Sequence, residues 1–427
     1  MLKKSFLALS FPLLLGATTL PELFDALKNH SQTKADALLI KQAKVAQSMA
    51  DAKLYPTVNL FAKYDYYTTA TGMLPVPPNQ LLAMVKPGPT AVAQPFSQNI
   101  MREGASFSMP LFVKTIYTMA DKAQKMQQSA KAKKEINILK NEALIVGANA
   151  NFLYLQALEK SLGTKEKSLL ETKKTIQIKV DTGRAPESAL YKIEDGLNQI
   201  SIAKNNIALK KEQIINSIRA ITGITLQKPI EMHPAQALHT TQEIAALKPL
   251  RLKIAATQLD VDAQKEKLYP TIAAYGKYAF SQASAYNKDK GVNEKYGNIG
   301  IVLQIPLLAM DRYEGIERAK VTMQSENAEL QKLEDELTSK AKMLQNSLPL
   351  LENSIKLSQK NIENKEKLLK IAKVNYTSGR LSTEEYLRYE DELVSAHAKL
   401  HQTEAQKWQT LMQLAVIYAN NIEEMVR

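Results

Sequence analysis

The sequence predicts a mainly α-helical chain with a small β part, built as two copies of one unit. Three observations predict it. Lys53-Leu54-Tyr55-Pro56-Thr57 returns as Lys267-Leu268-Tyr269-Pro270-Thr271. Thr182-Gly183-Arg184, with Glu194-Asp195 downstream, returns as Ser378-Gly379-Arg380 with Glu390-Asp391. In both copies, short stretches of alternating residues interrupt long stretches rich in Ala, Lys, Gln and Leu. Gly183 to Gly379 and Glu194 to Glu390 are both steps of 196, whereas Pro56 to Pro270 is a step of 214. An insertion of about 18 residues therefore falls early in the first copy. A unit of about 200 residues is too long for a solenoid repeat and suits two pseudo-equivalent halves of one body.

The order of the chain begins with an expected export signal over 1–17. Lys3 and Lys4 precede an apolar run from Ser5 to Leu15, followed by the small residues Gly16, Ala17 and Thr18. The run is too short for a spanning helix, which needs ~20 apolar residues. The first structural repeat is assigned to 18–224 and the second to 225–427. Each opens with a helical segment, Leu20 to Lys53 and Glu243 to Lys267, that a proline ends.

Strands follow the prolines. Val58, Leu60, Ala62, Tyr64 and Tyr66 share one face and Asn59, Lys63 and Asp65 the other, with Phe61 breaking the polar set. In the second copy Ile272, Ala274, Tyr278 and Phe280 oppose Thr271 and Lys277. The spacing predicts strands over about 56–68 and 104–111 in the first copy, and about 270–281 and 298–307 in the second. Pro56, Pro110, Pro270 and Pro306 mark the four helix–strand junctions. The insertion falls between the first two strands, as a surface loop holding Pro75, Pro77, Pro78, Pro87, Pro89 and Pro95.

Long helical arms run from about Thr115 to Val180 and from Arg312 to Tyr376; at 1.5 Å per residue each reaches ~100 Å. Ala341, Leu348, Ile355, Ile362, Leu369 and Tyr376 recur at intervals of seven, beside a second seam of Leu337, Leu344 and Leu351. A seven-residue period implies supercoiled helix packing. Pro349, matched by Leu153 in the first copy, predicts a kink in the second arm only. Each arm turns at a glycine tip, about 181–186 and 376–382, where Gly183 and Gly379 serve as left-handed caps and Pro186 or Ser382 opens the returning helix. An exposed arginine at each tip, Arg184 and Arg380, makes the tips candidate docking sites as well as plain helical turns.

Composition narrows the function. The chain has 427 residues, 45% hydrophobic content and no cysteine, which removes disulfides, thiol catalysis, Cys-ligated metals and an acylated-cysteine anchor. The net charge of +13 comes from Lys and Arg interleaved with Glu and Asp, as in Lys332-Leu333-Glu334-Asp335-Glu336, the pattern of solvated helix faces and not of a nucleic-acid interface. His397, His401 and Glu404 share a helix face without a third ligand of clear geometry, and His30, His233 and His239 join no nucleophilic constellation, so neither metal nor cofactor is expected. There is no Gly-rich phosphate loop; an energy source lies in a partner. Four strands cannot close a barrel alone, and open edges are not tolerated in a bilayer, so membrane-spanning strands require further chains.

The order of elements, the Leu-Tyr-Pro-Thr junctions and the Tyr-x-x-Gly tip followed by Leu387 and Ala396 resemble the TolC-type outer-membrane efflux proteins of Gram-negative bacteria. The resemblance implies a non-enzymatic homotrimer in which four strands per chain form one twelve-stranded transmembrane β-barrel. It implies a coiled-coil helical barrel continuing as a periplasmic tunnel. Its partners would be a periplasmic adaptor, an inner-membrane transporter of RND, ABC or MFS type, and outer-membrane lipid. By that pattern Tyr376 matches a gate tyrosine and Arg380 lies one position before the family's gate arginine. Ala189 replaces an aspartate, and the constriction's acidic ring maps to Glu385 and Arg388. Small toxic compounds and secreted polypeptides, as in type I secretion, remain alternative cargoes. A periplasmic coiled-coil scaffold is the other reading, against which the aromatic strand residues Tyr64, Tyr66, Tyr278 and Phe280 speak.

Overall fold

The computed structural model describes residues 18–85, 92–241 and 243–427. The expected export signal over 1–17 lies outside the described residues, as do Pro87 and Pro89 of the proline-rich segment. The described chain divides into two compact units, one of residues 18–39, 131–241, 243–249 and 331–427, the other of residues 40–85, 92–130 and 250–330.

The second unit is built on a four-stranded antiparallel sheet in the order β1 (Thr57–Gly72), β2 (Phe96–Phe112), β3 (Thr271–Ser284) and β4 (Gly291–Gln304). The same turn delivers the chain to β1 and β3. Lys53, Leu54 and Tyr55 donate to the carbonyls of Ala50, Asp51 and Ala52, and Lys267, Leu268 and Tyr269 donate to Gln264, Lys265 and Glu266. Pro56 and Pro270 then stand directly before the strands, where a missing N–H breaks no ladder.

All four strands exceed the sequence expectation at their loop ends: β1 continues to Gly72 and β3 to Ser284, while β2 starts at Phe96 and β4 at Gly291. Polar and glycine-rich stretches such as Gly291-Val292-Asn293-Glu294 carry little alternation, yet ladder bonds to β3 hold them extended. Pro110 is inside β2 and not at its end. It lies past Ser108, the residue opposite the first residue of β1, so no partner on that side needs its N–H, and the register with β3 shifts beside it. Pro306 follows β4 by two residues.

Register places the alternating residues on common faces. Val58, Leu60 and Tyr64 pair with Phe107, Ala105 and Met101; Phe107 and Ala105 pair with Gly276 and Tyr278; and Gly276 and Ala274 pair with Ile299 and Ile301. This is one broad apolar face, with Leu60 85% and Ile299 79% exposed. The opposite face carries Asn59, Lys63, Asp65, Arg102, Ser106, Lys277 and Asn298. Phe61 sits in that polar set because Lys277 Nζ stands 4.8 Å over its ring. Gly104 is a close-approach position: a Cβ there would meet the Tyr278 carbonyl oxygen at 2.0 Å. Among the described residues no strand lies beside the outer edges of β1 and β4.

The segment between β1 and β2 is not simply a loop. It contains α3 (Pro78–Val85), for which Pro78 supplies a preset φ at the first helical position and Gln80 and Leu81 donate to the Pro77 carbonyl. Gln94 and Asn287 tie this segment to the β3–β4 turn through three hydrogen bonds of 2.9, 3.0 and 3.2 Å.

The first unit is helical. The opening helix splits into α1 (Leu20–Asn29) and α2 (Ser31–Ala52), because His30 is extended at φ −74, ψ 162 and its N–H turns back to the Leu27 carbonyl. Leu20, Leu23, Phe24 and Leu27 bury the inner face of α1 against Ile145, Val146, Ile218, Leu226 and Met412. The arms are α4 (Lys114–Asp181) and α7 (Met310–Thr377), each of 68 residues and contributing to both units. Their returning partners are α5 (Glu187–Thr222) and α8 (Thr383–Tyr418). α7 passes through Pro349 without ending. The strands' second lead-in helix is α6 (Lys248–Glu266), and the chain closes with α9 (Ile422–Met425).

A heptad seam also runs through the first copy. Leu155, Leu162, Leu169 and Ile176 on α4 meet Ile193, Ile200 and Ile207 on α5. Where α5 ends, Gly223 at φ 76 turns the chain, and buried Asn149 brackets it by donating to the Ile230 carbonyl at 2.7 Å and accepting from the Ile230 N–H at 2.8 Å.

Candidate functional site

Both tips of the helical arms fold by the same local rule. At the first, Gly183 has φ 68, its N–H donates to the Val180 carbonyl at 2.9 Å, and Arg184 N–H reaches Lys179 at 2.6 Å. At the second, Gly379 has φ 74, donating to Tyr376 at 3.1 Å, while Arg380 N–H reaches Asn375 at 2.8 Å. These paired bonds are a Schellman closure, which demands the left-handed region at its glycine. Nothing lies within 4 Å of either position where a Cβ would stand, so the requirement is backbone conformation and not space. Arg184 and Arg380 are exposed.

The returning helices start differently. Pro186 caps α5 without a side-chain bond, whereas Ser382 caps α8 as a capping box: its hydroxyl accepts from Glu385 N–H at 3.2 Å and Glu385 Oε2 accepts from Ser382 N–H at 3.2 Å. Glu385, mapped from the resemblance to a constriction, is thus occupied at the helix start. Hydrogen bonds from Ser382 hold its carboxyl below the usual range. Arg388 is exposed and lies 3.8 Å from Glu392 and over the Tyr389 ring. Ala189 packs against the α4–α5 seam.

Tyr376 turns inward. Its ring stacks on Tyr386 at 4.9 Å and 14°, Lys179 Nζ stands 5.8 Å from its centroid, and its hydroxyl is buried without a partner. Sequence reasoning missed what Tyr386 does next. Its hydroxyl donates to Glu390 Oε1 at 2.9 Å, and Ser168 on α4 donates to the same oxygen. Beside them Lys165 bonds Asp391. The recurrent Glu-Asp pair is therefore where the α7–α8 hairpin joins α4. The available signal was the spacing of Tyr386 and Glu390, one helical turn apart on the face that also carries Leu393 and His397. Lys192 on α5 reaches Glu384 on α8 at 2.7 Å and closes the same junction nearer the tips.

His401 pairs with Glu404 at 2.9 Å, and burial with the nearby His401 lowers the pKa of His397. Among the described residues, no group of three or more His, Asp or Glu is placed to hold a metal ion, and no helix is long and apolar enough to cross a membrane.

No protein-family profile and no curated protein matches the sequence. Solved structures match its shape. The Campylobacter jejuni CmeC outer membrane channel aligns with a TM-score of 0.75 at 16% identity, over 93% of this chain and 85% of that one. The outer membrane protein VceC of Vibrio cholerae gives 0.74 at 15%, over 93% and 96%. The open state of the Neisseria gonorrhoeae MtrE outer membrane channel gives 0.69 at 14%, over 93% and 88%. The fold is that of the TolC-type outer-membrane channels. At such identity the likeness lies in the path of the chain and not in its residues.

Proposed function

We propose that this chain is one subunit of an outer-membrane exit duct in a tripartite efflux system. Three copies would complete a twelve-stranded barrel, and their helical hairpins a periplasmic tunnel that receives small toxic compounds from an inner-membrane pump through an adaptor. The observation that carries the reading is the sheet. A broad apolar face from Leu60 to Ile299 and two open edges suit strands that meet lipid on one side and further strands at each end. A periplasmic scaffold has no use for either feature. The tips, with Gly183, Arg184, Gly379 and Arg380, are the proposed adaptor-docking surfaces, and Tyr376, Arg380, Glu385 and Arg388 surround the proposed mouth.

The test is a deletion strain and fractionation together. Loss of the gene should sensitise cells to a panel of antibiotics, bile salts and metals, and the protein should partition into outer membranes as a trimer. Recovery as a soluble monomer after lysis would sink the proposal.

A further inference from the structure

Glu390 is 5% exposed at the junction of α4, α7 and α8. Its Oε1 accepts from Tyr386 and Ser168, while its Oε2 is buried without a hydrogen-bond partner, as is the Tyr376 hydroxyl. The duplicated scaffold does not impose this. Glu194, its counterpart in the first copy, is partly exposed and ion-paired to Lys173 at 2.8 Å. An ionised carboxylate with one bare oxygen is costly at such a place, whereas a neutral carboxyl among hydroxyls can both donate and accept.

A groove of about 640 Å³, with Glu390 and Tyr386 in its wall, gives protons a path to the cluster. The surrounding charges come from every helix at the junction. From α4 come Lys165, which is committed to Asp391, together with Lys167 and Glu171. From α7 come Glu366, Lys370 and Lys373. From α8 come His397 in the groove wall and Asp391 beside it, paired with Lys165, and from α5 comes Lys192, committed to Glu384. Burial pushes the Glu390 carboxyl up, against the opposing pull of Ser168, Tyr386 and Lys165, with Asp391 adding to the rise.

We propose that Glu390 is a proton-operated latch: protonated, it seats α8 against α4 and holds the two hairpins together, and ionised, it favours their separation and opens the duct mouth. The proposal rests on the exit-duct reading for its functional consequence. An acid whose packed-state pKa is raised keeps the packed arrangement at full strength below its ordinary pKa and weakens it as pH rises toward the raised one. Opening is thus favoured by less acidic surroundings.

The test uses the full chain in planar bilayers, scanned upward in pH from below the carboxyl's ordinary value of 4.5. The native channel should gain conductance several-fold over this range. Glu390→Gln should stay at the low-pH level throughout, His397→Gln should keep the native profile, and Ser168→Ala should move the midpoint to higher pH because it removes a donor to the ionised form. A Glu390→Gln channel that opens with pH as the native one does, or an unmoved Ser168→Ala midpoint, overturns the latch. Hydrogen exchange over the first turns of α8, corrected for intrinsic rates, separates the two readings. Exchange that rises with pH only when Glu390 is present, in a protein that never conducts, keeps the latch and removes the duct. Conductance with neither signal dependent on Glu390 does the reverse.

Discussion

At Gly183 and Gly379 the backbone, and not the surroundings, decides which residue is allowed. Both have positive φ and open space around the missing Cβ, so an L-residue costs about 1–2 kcal/mol in strain alone, and asparagine less than valine. Gly379→Val should therefore reduce efflux strongly while Gly379→Asn retains most of it, with amounts in the outer membrane unchanged in both; equal loss would mean the side chain itself blocks docking. Glu142 is a second residue whose environment speaks. It is 3% exposed, and burial first, then the nearby Glu423, raise its pKa to about 7 against the pull of Lys28. A raised acid contributes full stability below about pH 4.5 and loses it as pH climbs to about 7. The Tm of the native protein should fall over that interval, and Glu142→Gln should flatten the fall. The tip glycines were legible in the sequence because one residue type answers one backbone need. Glu390 was not, because its partner Ser168 is 222 positions away and nothing in either segment names the other.

Among the elements, the α4–α5 hairpin depends on its seven-residue seam. Leu169 and Ile193 are fully buried in it, so Leu169→Ala should cost about 2–5 kcal/mol, seen as a lower Tm of the helical signal. Leu209→Ala, on the same hairpin but 64% exposed, should shift stability by less than about 0.5 kcal/mol in the isolated subunit. A larger effect in the assembled protein would show that a neighbouring copy covers it. Periodicity made the second arm readable from Ala341 to Tyr376, and the same reasoning applies to Leu155, Leu162, Leu169 and Ile176. The break at His30 and the helix at Pro78 were harder to read. The first falls at Asn29-His30-Ser31, where no glycine or proline marks it, and the second is short and surrounded by prolines that also suit a loop.

For the whole molecule, the sheet's two faces make opposite demands. Leu60 belongs to the apolar face, so Leu60→Arg should cost about 2–4 kcal/mol at the bilayer midplane and deplete the outer-membrane pool. Asn59→Arg, one residue away on the polar face, should insert normally; equal depletion would place both faces in the same solvent.

The unpaired edges of β1 and β4 carry a genetic consequence. In the proposed trimer each sheet is finished by other copies, so a subunit shares its defects with them. Co-expressed at equal level with a native copy, an insertion-competent but non-docking Gly379→Val subunit should enter most trimers and leave roughly one in eight wholly native. Such an allele should be dominant in a cell that still makes the normal protein, and drug sensitivity in that merodiploid would count the chains in the assembly without isolating it.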